Sequence, residues 1–226
     1  MRCLLVLVLI VFSFWKGYTQ DKHIIDSLKT EYQTATQDTT KINALLSWGE
    51  EIYLSQPDSA LNLFIKARDI ADKCLIGNSE VGELELMTLK KSKAEALGNM
   101  GFIYGQQGKP QLYLKYSIEA AKIFGDLLEE DLDIKNFFDF DKEIKKGLAT
   151  IYNNIGLIYM NQGEIDKGLE YYFLSLKIRE EIKDKKGMAI SYNNIGGIYV
   201  NQGEIEKGLE YYLLSLKIRE EIKYKR

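Results

Sequence analysis

Residues 152–186 and 192–226 are nearly one segment written twice: 29 of 35 aligned positions are identical at an offset of 40 residues. Self-similarity at a fixed period of roughly 20–50 residues marks a repeat array. A unit this short cannot bury its own apolar face, so copies must stack. A stack presents a long surface rather than a closed pocket. This one feature therefore bounds both the fold and the kind of work the chain can do.

Each copy reads as two helices. In the last copy the first runs from about Met188 to Asn201 and the second from about Ile205 to Lys223, with Gln202-Gly203 breaking between them. In the second helix Ile205, Leu209, Tyr212 and Leu216, then Leu214, Ile218 and Ile222, recur at helical spacing over a wide stripe. A stripe that wide touches neighbours on two sides. Gly196 and Gly208 sit inside the two helices and recur as Gly156 and Gly168. A mid-helix glycine costs about 1 kcal/mol relative to alanine. Their recurrence predicts a close crossing of the paired helices, with Tyr199 and Tyr212 filling the space around it.

Tyr152, Ile155-Gly156, Tyr159, Gly163, Gly168, Tyr172 and Ser175 follow the spacing of the tetratricopeptide repeat, which this segment resembles. Two positions depart from that pattern: Gly168 stands where alanine is usual and Glu180 where proline is usual. The period of 40 is longer than the family's common repeat of about 34. The resemblance implies an all-α fold, a right-handed α-solenoid of helix-turn-helix repeats.

Weaker copies lie upstream. Leu97–Phe124 places Gly101, Tyr104, Gly108, Ala120 and Ile123 on the pattern, and Pro110 opens its second helix, where a missing N–H costs nothing. Ile42–Cys74 is the most diverged, with Ala60, Phe64 and Ala67 on one helix face and Asp58 or Ser59 able to cap it. The expected organisation is a signal segment over 1–20 and an amphipathic helix over 21–37. An array over 38–226 follows, with repeats at about 42–75, 94–125, 149–186 and 189–226. Residues 126–146 form an insertion too apolar for a disordered loop. It reads as extended helices with a turn near Asn136, and 80–95 as a lengthening of the preceding first helix. Ile24, Ile25, Leu28 and Tyr32 form a short stripe that suits a cap on the N-terminal end of the stack.

Met1-Arg2 precedes an apolar run of about 13 residues, shorter than the roughly 20 that span a bilayer and laid out as a secretory signal. The expectation is a secreted or periplasmic protein whose mature chain starts near Gln20 or Asp21. The competing reading is an anchor formed by an uncleaved N-terminal segment. Cys3 lies too close to the start for a lipoprotein signal, and loss of the leader leaves Cys74 alone, read as a small buried side chain. No second apolar run exists, so no stable membrane span is expected after cleavage. The net charge of −3 becomes −5 when Arg2 and Lys16 leave with the leader. Charges of both signs mix on the second helices, as at Lys177, Arg179, Glu180, Glu181 and Lys183, which reads as a solvated face with local pairing. With no basic stripe, nucleic acid is not an expected partner.

Catalytic signals are missing. His23 is the single histidine, too few ligands for a structural zinc site and too few partners for a Ser/His/Asp or Cys/His set. The GNMGFIYGQQGK stretch lacks the strand-turn-helix context and ending of a phosphate loop. The expectation is no enzyme, no cofactor and no metal.

Binding is the expected function, to a protein or peptide. The family resemblance implies that successive first helices line a concave groove. The residues placed there are Asn99, Asn153, Asn154, Leu157, Met160, Asn161, Asn193, Asn194, Val200 and Asn201. A side-chain amide both donates and accepts, which suits a peptide backbone. The same amides could instead bond within the array. The family's lysine-based clamp for a C-terminal carboxylate is not matched, since Gly98, Asn153 and Asn193 stand where lysine would be wanted. A signal segment followed by such repeats also resembles the input half of a sensor histidine kinase or membrane-bound regulator, truncated or split, the alternative reading. Finally, Leu209, Leu216, Ile218 and Ile222 predict an open C-terminal end and self-association through it.

Overall fold

The structure is a computed structural model that describes residues 22–77, 82–130 and 138–223. Every regular element among these is a helix: α1 (22–34), α2 (Asp38–Ile52), α3 (Pro57–Gly77), α4 (Glu83–Gln106), α5 (Pro110–Glu129), α6 (Phe138–Asn161), α7 (Ile165–Glu181), α8 (Lys185–Asn201) and α9 (Ile205–Lys223). The leader over 1–20, Cys3 and the turn expected near Asn136 lie outside the described residues. The fold is the all-α repeat solenoid that the sequence implies.

Local chemistry sets the helix ends. α8 starts three residues before the expected Met188, because Asp184 Oδ1 accepts from the Gly187 N–H at 3.0 Å and caps the first turn. α4 and α6 each run 24 residues, so the extra sequence before the second and third repeats is spent on longer first helices. The turns between paired helices share one device. Gly163 and Gly203 adopt φ of 78° and 85°, where an L side chain is strained. The amides of Glu164 and Glu204 then reach back to Tyr159 O and Tyr199 O at 2.9 Å, closing the carbonyls of the preceding helix.

The chain divides into two compact units, with the division inside α4 between Ala96 and Leu97. In the first, Ile42, Leu45, Phe64 and Leu89 form a core with Ala60, Ala67 and Ala71. Gly49 of α2 makes room for the Phe64 ring: a Cβ there would stand 2.7 Å from Phe64 Cζ. Two cation–ring contacts hold α1, with its Lys29 ammonium over the Trp48 ring at 5.4 Å and Lys66 of α3 over its Tyr32 ring at 4.5 Å.

In the second unit α6 packs on α7 and α8 on α9, and α7 packs on α8. The glycine crossing is present in both pairs. A Cβ at Gly156 would lie 3.0 Å from both Gly168 O and Tyr172 Cδ1. A Cβ at Gly196 would lie 3.0 Å from both Gly208 O and Tyr212 Cδ1. The backbones therefore approach closely, and a tyrosine ring closes each gap. Beside each crossing a buried serine of the second helix bonds the first: Ser175 Oγ donates to Ala149 O and Ser215 Oγ to Ala189 O, both at 2.7 Å. Tyr172, Leu176, Ile195, Ile198 and Tyr199 make a continuous core between the last two repeats.

Candidate binding surface

First helices carry the candidate surface. On α6, Leu157 is 40% exposed and Asn161 is exposed, while Asn153, Asn154 and Met160 are half-buried. On α8, Asn193 and Asn201 are exposed, and Asn194 and Val200 half-buried. On α4, Asn99 is half-buried. Met160 and Val200 do more than line a face. A Cβ at Gly168 would meet Met160 Sδ at 2.6 Å, and one at Gly208 would meet Val200 Cγ2 at 2.5 Å. Both side chains therefore close the crossing within their own repeat. The asparagines are partly spent inside the array: Asn194 Nδ2 donates to Asn153 Oδ1 at 3.0 Å, from α8 to α6.

Aromatic rings form a second periodic feature. Tyr159 stacks on Tyr171 with centroids 5.6 Å apart, and Tyr199 on Tyr211 at 5.5 Å. Lysines cap these stacks, with Lys167 Nζ 5.1 Å from the Tyr159 centroid and Lys207 Nζ 3.8 Å from that of Tyr199. Tyr104 and Tyr116 repeat the stack in the diverged copy, at 5.5 Å.

Between consecutive repeats the sequence reading needs correction. The charged positions of α7 are not a solvated face throughout. Arg179 is 5% exposed, and its Nη1 donates to Gly187 O and Ser191 Oγ of α8, both at 2.8 Å. Burial draws its guanidinium below the usual arginine value, with Asp184 acting in the opposite direction. The neighbouring Glu180 accepts from the Tyr192 hydroxyl at 2.8 Å. Burial first, and that carboxylate second, push the Tyr192 phenol up to about 12. Glu181 pairs back with Lys145 of α6 at 2.6 Å, and forty residues on Glu221 pairs with Lys185 at 2.5 Å. Gly187 is small because two side chains crowd it: a Cβ there would meet the Asp184 carboxylate that caps its own helix and would stand 2.7 Å from Arg179 Cδ. Gly147, forty residues earlier, makes the same room for Phe124, whose Cζ would lie 2.6 Å from an added Cβ. That pair of glycines at the repeat offset was the available signal for a packed junction.

In the first unit an open cleft is lined by Tyr32, Asp38, Lys41, Lys66, Lys73 and Cys74. Lys41 is paired with Asp38 at 2.8 Å. Cys74, half-buried, donates to Asp38 Oδ2 at 3.4 Å. Burial and then Asp38 push its thiol up, so it is held protonated rather than activated. His23 is exposed. Among the described residues no group of three or more His, Cys, Asp or Glu is placed to hold a metal ion. No described helix is long and apolar enough to cross a membrane.

Residues 147–221 match the family model described as tetratricopeptide repeat. No curated protein matches the chain by sequence. Among solved structures, BtubC (BKLC) from P. vanneervenii is 18% identical, with a TM-score of 0.62 over 93% of this chain and 75% of that one. MamA is 18% identical, with a TM-score of 0.53 over 93% of this chain and 95% of that one. A putative kinesin light chain from Podosopora anserina with TPR-like repeats is 12% identical, with a TM-score of 0.55 over 93% and 92%. At such identities the likeness is one of fold. The family match is confined to residues 147–221, and for the rest of the chain the solved structures show a shared helical-repeat fold.

Proposed function

We propose that this chain is a non-enzymatic scaffold that binds a peptide or partner protein along the first-helix face of its repeats. One observation carries the reading: the Asn194–Asn153 bond sets α8 beside α6 in register. Leu157, Asn161, Asn193 and Asn201 are left exposed on those two helices. That row offers one apolar anchor among carboxamides that both donate and accept. Its neutrality fits a ligand recognised through its backbone rather than through charge.

The apolar leader supports export, with the mature chain beginning near Gln20 or Asp21 outside the cytoplasm. N-terminal sequencing of the protein from envelope fractions tests this, and an intact Met1 on soluble cytoplasmic protein overturns it. For binding, partners captured from extract are identified and their segments measured by titration against the wild-type chain and against Leu157→Asp with Asn193→Asp. The paired change removes the anchor and turns a carboxamide into an acceptor-only group, so affinity falls about tenfold or more. Unchanged affinity in a variant of wild-type helicity removes the first-helix face from the proposal.

A further inference from the structure

The helix α9 repeats α7 at 17 of 19 positions over 205–223 against 165–183. In α7 the surface that those residues build is occupied, because α8 lies on it. Its contacts are specific. Arg179 donates to Gly187 O and Ser191 Oγ, Glu180 accepts from the Tyr192 hydroxyl, and Asn153 on the adjoining first helix accepts from Asn194. The covering face therefore reads Gly-x-x-x-Ser-Tyr-x-Asn, with the glycine crowded by the Asp184 cap of its own helix and by the arginine stem that crosses it.

The same surface on α9 has no helix on it among the described residues. Leu176 is 6% exposed, and its counterpart Leu216 is 51% exposed. Leu209 is exposed where its counterpart Leu169 is half-buried, whereas Leu213 and Leu214 are exposed as their counterparts Phe173 and Leu174 are. Arg219 is exposed where Arg179 is buried, and its Nε donates to Ser215 Oγ on its own helix at 3.3 Å, while Glu220 is exposed as Glu180 is. Asn193 stands exposed where Asn153 stands one repeat earlier.

We propose that this face of α9 docks a helix of a partner protein that carries the Gly-x-x-x-Ser-Tyr-x-Asn face. The argument rests on complementarity already displayed in the molecule, where a near-identical surface holds a helix of that chemistry. The glycine lies over the Arg219 stem, its carbonyl and the serine hydroxyl accept from the guanidinium, the tyrosine hydroxyl donates to Glu220, and the asparagine donates to Asn193. Leu216 and Leu209 supply the buried area, as Leu176 and Leu169 do one repeat earlier. A second copy of this chain offers no free match, since α8 is the segment with that face and α7 already covers it. This face shares Asn193 with the first-helix row; its other contacts, Arg219, Glu220 and the leucines, lie on α9 and stand whether or not that row binds.

The probe is a peptide with the sequence of residues 184–203, stapled at solvent-facing positions so that its helix is preformed and the ordering cost is removed. Saturable binding to the full chain is expected. Arg219→Ala should weaken it about tenfold, since it removes charge-assisted bonds whose counterparts at Arg179 are buried, and Glu220→Ala should weaken it less, since the counterpart bond at Glu180 is exposed. A leucine in place of the peptide's glycine should abolish it. The chain variant Lys217→Ala serves as a control that leaves binding unchanged. Absence of saturable binding overturns the proposal. So does binding indifferent to Arg219→Ala and to the peptide's glycine. A concentration-dependent dimer that Leu216→Glu dissolves, with no peptide bound, assigns the face to a second copy and also overturns it.

Discussion

Asn194 donates its carboxamide to Asn153 at 3.0 Å, across the first helices of two consecutive repeats. The bond falls on the row expected to contact a ligand, so the same residue type serves assembly and candidate recognition at once. This bond takes one of the four hydrogen-bonding sites of each amide: Asn194 keeps an N–H and its oxygen, and Asn153 keeps one lone pair and its two N–H donors.

A double-mutant cycle with Asn153→Ala and Asn194→Ala measures the shared bond. The coupling energy from urea melts should be about 0.5–1.5 kcal/mol, the usual net worth of one such bond. Coupling near zero would mean that water replaces the contact in solution, and that the two amides are fully available to a ligand.

Gly156→Leu and Gly196→Leu should each destabilise the chain by about 1–3 kcal/mol or more, because the added carbon meets a backbone carbonyl that cannot rotate away. The exposed Lys217→Ala should stay within roughly 0.5 kcal/mol. Similar midpoints in denaturant for both classes would remove the close crossing.

Arg179→Ala and Arg219→Ala test how neighbours, not sequence, set the value of a residue. The first leaves Gly187 O and Ser191 Oγ unpaired in a buried junction and should cost about 1–3 kcal/mol. The second removes an exposed side chain and should change stability by roughly 0.5 kcal/mol or less. Equal losses in thermal or urea melts would refute the asymmetry.

Tyr172 and Tyr192 both have phenols pushed up to about 12 from a usual 10.0, chiefly by burial. Between those values the unfolded chain releases the proton while the folded chain keeps it. The unfolded state then binds fewer protons, and stability falls as pH rises. The contribution is complete below pH 10 and lost toward pH 12. Urea midpoints from pH 8 to 11.5 should decline, and the decline should be shallower in Tyr192→Phe. A slope unchanged by that substitution would assign the alkaline loss to other groups.

The period, the paired helices, the Gly203 break and the glycine crossings were legible because each is a local or strictly periodic property. Helicity depends on spacing along one chain, and an αL turn depends on one residue. The candidate row was legible as a row of first-helix positions. Bonding of its amides within the array was one of two readings the sequence left open, because whether two amides meet depends on how far one helix is rotated against the next. Arg179 was misread for the same reason. Its sequence neighbours are charged, and only the fold puts Gly187 and Ser191 over it. The pair α7 and α9 makes the division plain. Sequence by itself determined that 165–183 and 205–223 form the same helix with the same apolar stripe. The tertiary structure alone decided that Leu176 is buried and Leu216 is exposed. Burial belongs to a contact, and a contact needs a second surface that the helix's own residues do not encode.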